Sequence, residues 1–213
     1  MSNTIMNMVT MARHSVYTLD AYEVRWMREL AARRNGIKNQ LHIRTKKYLN
    51  ERGDAETHFL GCCAELAVAR LLDLQIDESI SPRGNQRGYD LITRDGVTID
   101  VRYRANRDWD FALKSDRASE FKADLAVLVL PAPVSDPPHS FQASGWISRD
   151  DFLQRSSLKD YGYGPRLQVS KHALQPMASI DLAPPTPTTE QVGLPGFDGL
   201  SFTATQRDPW SHR

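Results

Sequence analysis

Residues 88–104 read GYDLITRDGVTIDVRYR, and this stretch predicts the β-hairpin that decides the fold. Asp95-Gly96 lies between two β-prone runs, and glycine readily takes the positive φ that tight hairpin turns require. A two-residue loop would turn Asp90 away from Asp100. A three-residue loop over 94–96 would place them opposite each other, because a shift of one residue moves a side chain to the other face. The sequence leaves both registers open.

The second strand of this hairpin alternates between apolar and polar residues. One face carries Val97, Ile99, Val101 and Tyr103, and the other carries Thr98, Asp100, Arg102 and Arg104. Such alternation predicts a half-buried strand with one polar face. Asp100 and Arg102 therefore point the same way.

Upstream, residues 59–74 predict a helix with apolar residues at helical spacing, and Asp54 or Thr57 is available as its cap. Glu65 is the one acid inside the run GCCAELAVA. A carboxylate in such a run either reaches solvent or has a partner, because burying an unpaired charge is costly.

The order of these elements resembles the PD-(D/E)XK nuclease superfamily over roughly residues 55–150. The resemblance implies an α/β domain of restriction-endonuclease-like fold, with a mixed central sheet flanked by helices. It also implies that Glu65, Asp90 and Asp100 hold Mg²⁺ or Mn²⁺ for hydrolysis of a DNA phosphodiester.

Arg102 stands where the family has its lysine. Arginine stays protonated, so it can neutralise phosphate charge but cannot act as a base. A predicted strand over 108–114 offers Lys114 as a replacement on its polar face. The alternative is a nuclease fold without catalytic activity that binds nucleic acid or inhibits or recruits a protein.

Basic residues cluster in the first quarter of the chain, where a helix from about 18 to 35 is expected to stop at Gly36. These residues indicate either a phosphate-contacting arm or a solvated helix face. A second basic group follows the hairpin. The expected nucleic-acid contacts are Arg33, Arg34, Lys46, Lys47, Arg104 and Arg107.

Beyond the hairpin, the run over residues 123–130 is apolar at both odd-numbered and even-numbered positions, which predicts a central strand buried on both faces. Residues 141–147 predict a further strand, and Ser148 opens a short helix with a capping-box-like start. Trp146 is expected to pack that helix on the sheet, with base stacking as the alternative.

The 213-residue chain has an ordinary globular composition, with 40% apolar residues, 25% charged residues and a formal net charge of +1. It predicts a basic N-terminal helical extension (1–52), an α/β core (53–182) and a Pro-rich C-terminal arm (183–213). Neither a zinc site nor a hydrolytic triad is indicated.

The adjacent thiols of Cys62 and Cys63 favour a reducing cytoplasm, and no signal peptide or membrane span is expected. DNA is the expected partner. The C-terminal arm contains several aromatic residues, which is compatible with a protein partner. The sequence does not decide the oligomeric state, and a homodimer is compatible with it.

Overall fold

A computed structural model describes residues 15–40, 53–79, 88–114, 121–133, 136–160, 162 and 164–180. Its helices and strands are, in chain order, β1 (Val16–Thr18), α1 (Ala21–Gln40), α2 (Asp54–Leu71), β2 (Leu91–Ile92), β3 (Thr98–Tyr103), β4 (Phe111–Lys114), β5 (Leu125–Pro131), β6 (Ser140–Ser148), α3 (Arg149–Arg155), β7 (Ser157–Asp160) and β8 (Pro165–Val169). Two short 3₁₀ turns follow, at Lys171–Ala173 and Met177–Ser179.

The main sheet is mixed, with the strand order β1-β6-β5-β3-β2. Strands β3 and β5 run parallel, whereas the β1–β6, β5–β6 and β2–β3 pairs are antiparallel. Strand β5 has a neighbour on each side, and all but the last of its residues are buried. The predicted central strand is therefore confirmed.

The two faces of β5 pack into different cores, because successive side chains of a strand point to opposite faces. Leu125, Val127 and Val129 join a core with helices α1 and α2. Ala126 and Leu128 join a second core, which includes Phe111 of β4 and Phe152 of α3. The protein is thus a mixed α/β structure with the sheet in the middle.

Helices were predicted to flank the main sheet, but they cover mainly one of its faces. The opposite face is covered mainly by a second, three-stranded sheet with the order β4-β8-β7, together with the short helix α3. Strands β7 and β8 were not predicted from the sequence. Strand β4 begins at Phe111 rather than at residue 108, and Trp109 is 47% exposed.

The N-terminal segment contributes to both the main sheet and its core. Strand β1 pairs with β6, and Met27 and Leu30 of α1 are fully buried against α2. The prediction that Gly36 ends this helix is wrong, since α1 continues to Gln40. A glycine without positive φ is compatible with helix, at a cost of only about 1 kcal/mol relative to alanine.

Two further local expectations need correction. Helix α2 begins at Asp54 with Gly53 as its N-cap, so neither Asp54 nor Thr57 caps it. Trp146 does not pack α3 onto the sheet, because its side chain packs against the core with α1 and α2, whereas Phe152 of α3 lies in the second core. The indole Nε1 donates to Pro176 O at 3.2 Å. The Ser148 cap is confirmed, with its side chain accepting from the Asp151 amide at 3.1 Å.

None of the described helices is long and apolar enough to cross a membrane. Lys46, Lys47 and the expected C-terminal arm lie outside the described residues.

Candidate functional site

The hairpin between β2 and β3 adopts the register that places Asp90 opposite Asp100. Leu91 pairs with Ile99, and the backbone bond from Thr93 to Val97 leaves a three-residue loop over 94–96. Gly96 has φ +89°, the left-handed conformation that glycine adopts readily. One carboxylate oxygen of Asp90 accepts from the Val101 amide at 2.7 Å, which fixes that side chain on the hairpin.

Asp100 is a buried acid, with 6% of its surface exposed. Burial, with a smaller contribution from the negative charge of Asp90, raises the pKa of Asp100 to about 6 against the opposing positive charge of Arg102. The Arg102 Nε donates to Asp100 Oδ2 at 2.5 Å, and the Arg102 side chain is 44% exposed. Asp100 and Arg102 therefore share the polar face of β3, as the alternation predicted.

Glu65 on α2 lies within the electrostatic reach of both hairpin acids. Burial and then the negative charge of Asp90 raise the pKa of Glu65 to about 7, with a smaller contribution from Asp100, while Arg34 opposes them. The helix thus brings a third carboxylate to the two on the hairpin. We call Glu65, Asp90 and Asp100 the acid cluster.

Arg34 of α1 is the partner that the buried position of Glu65 demands. Its Nη1 donates to Glu65 Oε2 at 2.9 Å, and its Nη2 donates to the carbonyl of Asp77 at 2.5 Å. Only 24% of the Arg34 side chain and 18% of the Glu65 side chain are exposed. Arg34 was predicted to contact nucleic acid, and in the structure it holds an acid of the cluster.

The negative charges of the acid cluster act on one another. Asp90 raises the pKa of both Glu65 and Asp100, although burial is the largest cause of each raised pKa. Arg34 opposes the rise at Glu65, and Arg102 opposes it at Asp100. A cation bound beside these carboxylates would lower their pKa values.

The donor chemistry of the acid cluster fits a hard divalent cation, since Mg²⁺ prefers carboxylate oxygens. Arg34 and Arg102 each engage one oxygen of a would-be ligand, Glu65 Oε2 and Asp100 Oδ2. Within the described ranges, no three His, Cys, Asp or Glu side chains are arranged as a metal-binding group. Metal binding at this cluster would therefore require these side chains to move.

The chain matches no protein-family model, and a search of curated proteins finds no match. The function of the candidate site is therefore inferred from its residues and their geometry.

The remaining predicted site residues within the described ranges lie in three places. Arg107 ties two chain segments together by donating to Pro131 O and, at 2.9 Å, to the Gln142 side chain, so its described contacts are structural. Arg33 is exposed on α1. Arg104 reaches from the end of β3 to β4, where its Nη2 donates to the carbonyl of Ala112, and Lys114 of β4 lies opposite Arg166 of β8.

The cysteines beside Glu65 contribute no nucleophile. Burial raises the pKa of Cys62 to about 11 and that of Cys63 to about 12, so both thiols stay protonated near neutral pH. Both cysteines lie buried in the core with α1 and α2.

Sequence reasoning missed the pairing of Arg34 with Glu65 and the basic residues of β7 and β8. The first could have been anticipated, because a lone acid in an apolar helix demands a cation and α1 supplies several. The strand residues Lys159 and Arg166 gave no comparable signal, since each lies in a short segment without clear alternation.

We expect Arg34→Ala to lower the free energy of unfolding by about 3 kcal/mol, because it leaves the Glu65 carboxylate buried without its partner. Adding Glu65→Gln should recover much of that loss. Arg33→Ala, on the adjacent exposed position, should change stability by less than about 0.5 kcal/mol. Urea denaturation of the four proteins measures these differences. Equal small effects at both arginines would contradict a structural role for Arg34.

Stability should also depend on the protonation of the acid cluster. The pKa values of Glu65 and Asp100, about 7 and about 6, lie above their ordinary values of 4.5 and 3.8, so the folded chain binds these protons more tightly. Their contribution to stability is therefore fully present below the ordinary values and is lost as pH rises through 6 to 7.

We expect the melting temperature in EDTA to fall between about pH 5 and pH 8, and this fall to flatten in Glu65→Gln/Asp100→Asn. Asp150→Asn, which neutralises an exposed acid on α3, is the matched control and should keep the parent's pH dependence. Thermal denaturation followed by circular dichroism checks both. A double variant that loses stability as steeply as the parent would contradict the assignment.

Proposed function

We propose that this chain hydrolyses phosphodiester bonds in DNA with the help of a divalent metal ion. The observation that carries the proposal is the acid cluster, in which α2 and the β2–β3 hairpin bring three carboxylates into one partly buried, electrostatically coupled group. The same elements support a restriction-endonuclease-like core around the mixed sheet. The reduced, buried cysteines are consistent with a cytoplasmic protein.

Glu65, Asp90 and Asp100 are the residues that would hold Mg²⁺ or Mn²⁺. When bound, such an ion supplies charge neutralisation at the phosphate and lowers the pKa of a coordinated water. Every other contribution must come from side chains of the chain itself. The carboxylates need the ionised form for this role, so their raised pKa values favour metal binding above neutral pH.

Arg102 is the side chain best placed to meet the phosphate. Its guanidinium lies beside Asp100 and is 44% exposed, so it can reach an anion at the surface while keeping its contact with the strand. It stays protonated, which suits it to neutralise negative charge and excludes it as a base. Arg102 can therefore take over one of the two roles of the family's lysine, the neutralisation of phosphate charge, but not the role of a base.

A second candidate function is a non-catalytic module that binds nucleic acid or a protein. Two observations favour it: Arg34 and Arg102 already hold the carboxylates, and the described residues form no metal-binding group. Arginines in these positions do electrostatically what a metal ion would do. Under this alternative the acid cluster only stabilises the fold, and the basic side chains around it bind the nucleic acid or protein.

Asp100→Asn decides between the two candidates. If the chain is a nuclease, it should cleave single-stranded, double-stranded or branched DNA with Mg²⁺ or Mn²⁺, and Asp100→Asn should abolish cleavage by removing a ligand. Arg102→Lys should preserve or raise activity, because it restores the ammonium of the family motif. Asp95→Asn, an exposed acid in the same hairpin, is the control and should cleave like the parent.

Lys114 needs its own test, because it was predicted to supply the missing lysine. If it does, Lys114→Ala should eliminate cleavage while Arg102→Ala leaves much of it. No cleavage of any of these substrates by the parent or by Arg102→Lys, together with calorimetry showing no Mg²⁺ or Mn²⁺ binding, would contradict the nuclease and favour the binding module.

A further inference from the structure

Arg34 of α1 donates hydrogen bonds to two other parts of the chain. Its Nη1 donates to Glu65 Oε2 at 2.9 Å and to Cys62 Sγ, one turn earlier on α2, at 3.5 Å. Its Nη2 donates to the carbonyl of Asp77, in the segment that follows α2, at 2.5 Å. The guanidinium therefore ties Glu65 both to α1 and to the segment after α2.

These contacts fix the position of the Arg34 charge. A planar guanidinium that donates from two nitrogens at once is held in one orientation. Only 24% of the Arg34 side chain and 18% of the Glu65 side chain are exposed, and partly buried ion pairs are screened less than exposed ones. The positive charge of Arg34 is thus held beside the Glu65 carboxylate.

Arg102 holds its acid in a different way. It comes from the same strand as Asp100, two residues away, and 44% of its side chain is exposed. A half-exposed arginine can turn towards water while its charged group stays hydrated. Arg34 is therefore the less easily displaced of the two arginines.

Glu65 is the member of the acid cluster that comes from a helix. It lies close enough to the hairpin for the charges of Asp90 and Asp100 to act on it. Even so, the part of the chain that the structure describes holds no three acids, histidines or cysteines arranged around one metal position. In this arrangement Glu65 is bound to Arg34 and does not join the two hairpin acids around a common point.

A divalent ion on Glu65 would meet the Arg34 guanidinium. Carboxylate oxygens hold Mg²⁺ at about 2.1 Å, and Arg34 Nη1 already lies 2.9 Å from one oxygen of this carboxylate. Two cations beside the same carboxylate repel each other, and the repulsion is stronger in a partly buried place than in bulk water. Arg34 and a metal ion are therefore expected to compete for Glu65.

We propose that Arg34 is a built-in competitor of the metal ion: it keeps Glu65 in a metal-free arrangement, and a divalent ion binds the acid cluster only when Arg34 leaves Glu65. The proposal rests on the proposed function for the identity of the competing ligand. It makes Arg34 a positioning residue that sets the metal affinity of the cluster.

Mn²⁺ binding to the full chain, followed by the loss of the electron paramagnetic resonance signal of the free ion, tests the proposal. Arg34→Met should bind Mn²⁺ at least about tenfold more tightly than the parent, because a site that is open about one tenth of the time loses affinity by that factor. Arg34→Met/Glu65→Gln should lose this gain, since the added affinity comes from Glu65.

Two further variants serve as controls. Arg25→Met removes the same charge from an exposed position on α1 and should keep the parent's affinity within a few-fold. Arg34→Lys keeps the charge but not the planar fork that spans Glu65 and the Asp77 carbonyl, so its affinity should lie between those of the parent and Arg34→Met. It also guards against misfolding of Arg34→Met.

Three outcomes would overturn the proposal. The first is equal Mn²⁺ affinity of the parent, Arg34→Lys and Arg34→Met. The second is no Mn²⁺ binding by any of them. The third is a gain in Arg34→Met that survives Glu65→Gln.

Nuclear magnetic resonance on the parent tests the displacement directly. The Arg34 Nε–H signal, assigned by its absence from Arg34→Lys, should exchange faster with water as Mg²⁺ is added, because the guanidinium leaves Glu65. Uptake of Mg²⁺ that shifts the backbone amide signals of the hairpin while Arg34 exchange stays unchanged would show both cations bound together and would overturn the proposal.

Cleavage separates this proposal from the proposed function. If Arg34→Met binds Mn²⁺ through Glu65 more tightly than the parent but neither protein cleaves DNA, the nuclease is wrong and the competition stands. If the parent cleaves DNA with Mg²⁺ and binds Mn²⁺ as tightly as Arg34→Met does, the competition is wrong and the nuclease stands.

Discussion

Burial of the Glu65 and Asp100 carboxylates near a third acid, Asp90, is the constraint that the site depends on. Carboxylates removed from water require compensation, and the chain supplies it from two directions. Arg34 reaches Glu65 from α1, and Arg102 reaches Asp100 from its own strand. The packing of α1 against α2 is therefore both apolar, through Met27 and Leu30, and ionic.

The two arginines do not bring the pKa values of these acids back to their ordinary values, and this property points to a functional site. The pKa values of Glu65 and Asp100 stay raised despite the two arginines. Replacing a buried ion pair with well-packed apolar residues is often neutral or stabilising, so stability alone does not account for these acids. Strongly perturbed carboxyls next to exposed cations are typical of sites that bind or transform a ligand.

The features with a strong local pattern could be predicted from the sequence. The polar and apolar faces of β3 follow from the alternation of its residues. The central position of β5 follows from a run that is apolar at both odd-numbered and even-numbered positions. The hairpin register did not follow, because two loop lengths fit the same turn signal. The backbone bonds of Thr93 decide it in favour of the three-residue loop.

Other features depend on tertiary contacts that local patterns do not contain. Helix α1 passes through Gly36 to Gln40, although glycine often ends a helix. Strands β7 and β8 are short and pair mainly with each other and β4, so their segments lack a strong periodic signal. Arg34 looked like one of several surface cations, and only the packing of α1 on α2 brings it to Glu65.

The central claim is that Glu65, Asp90 and Asp100 form one coupled acid cluster, and carboxyl-carbon NMR titration tests it most directly. We expect Glu65 and Asp100 to titrate near pH 7 and pH 6, and both pKa values to fall in Asp90→Asn and again when Mg²⁺ is added. Ordinary pKa values that respond to neither change would contradict it.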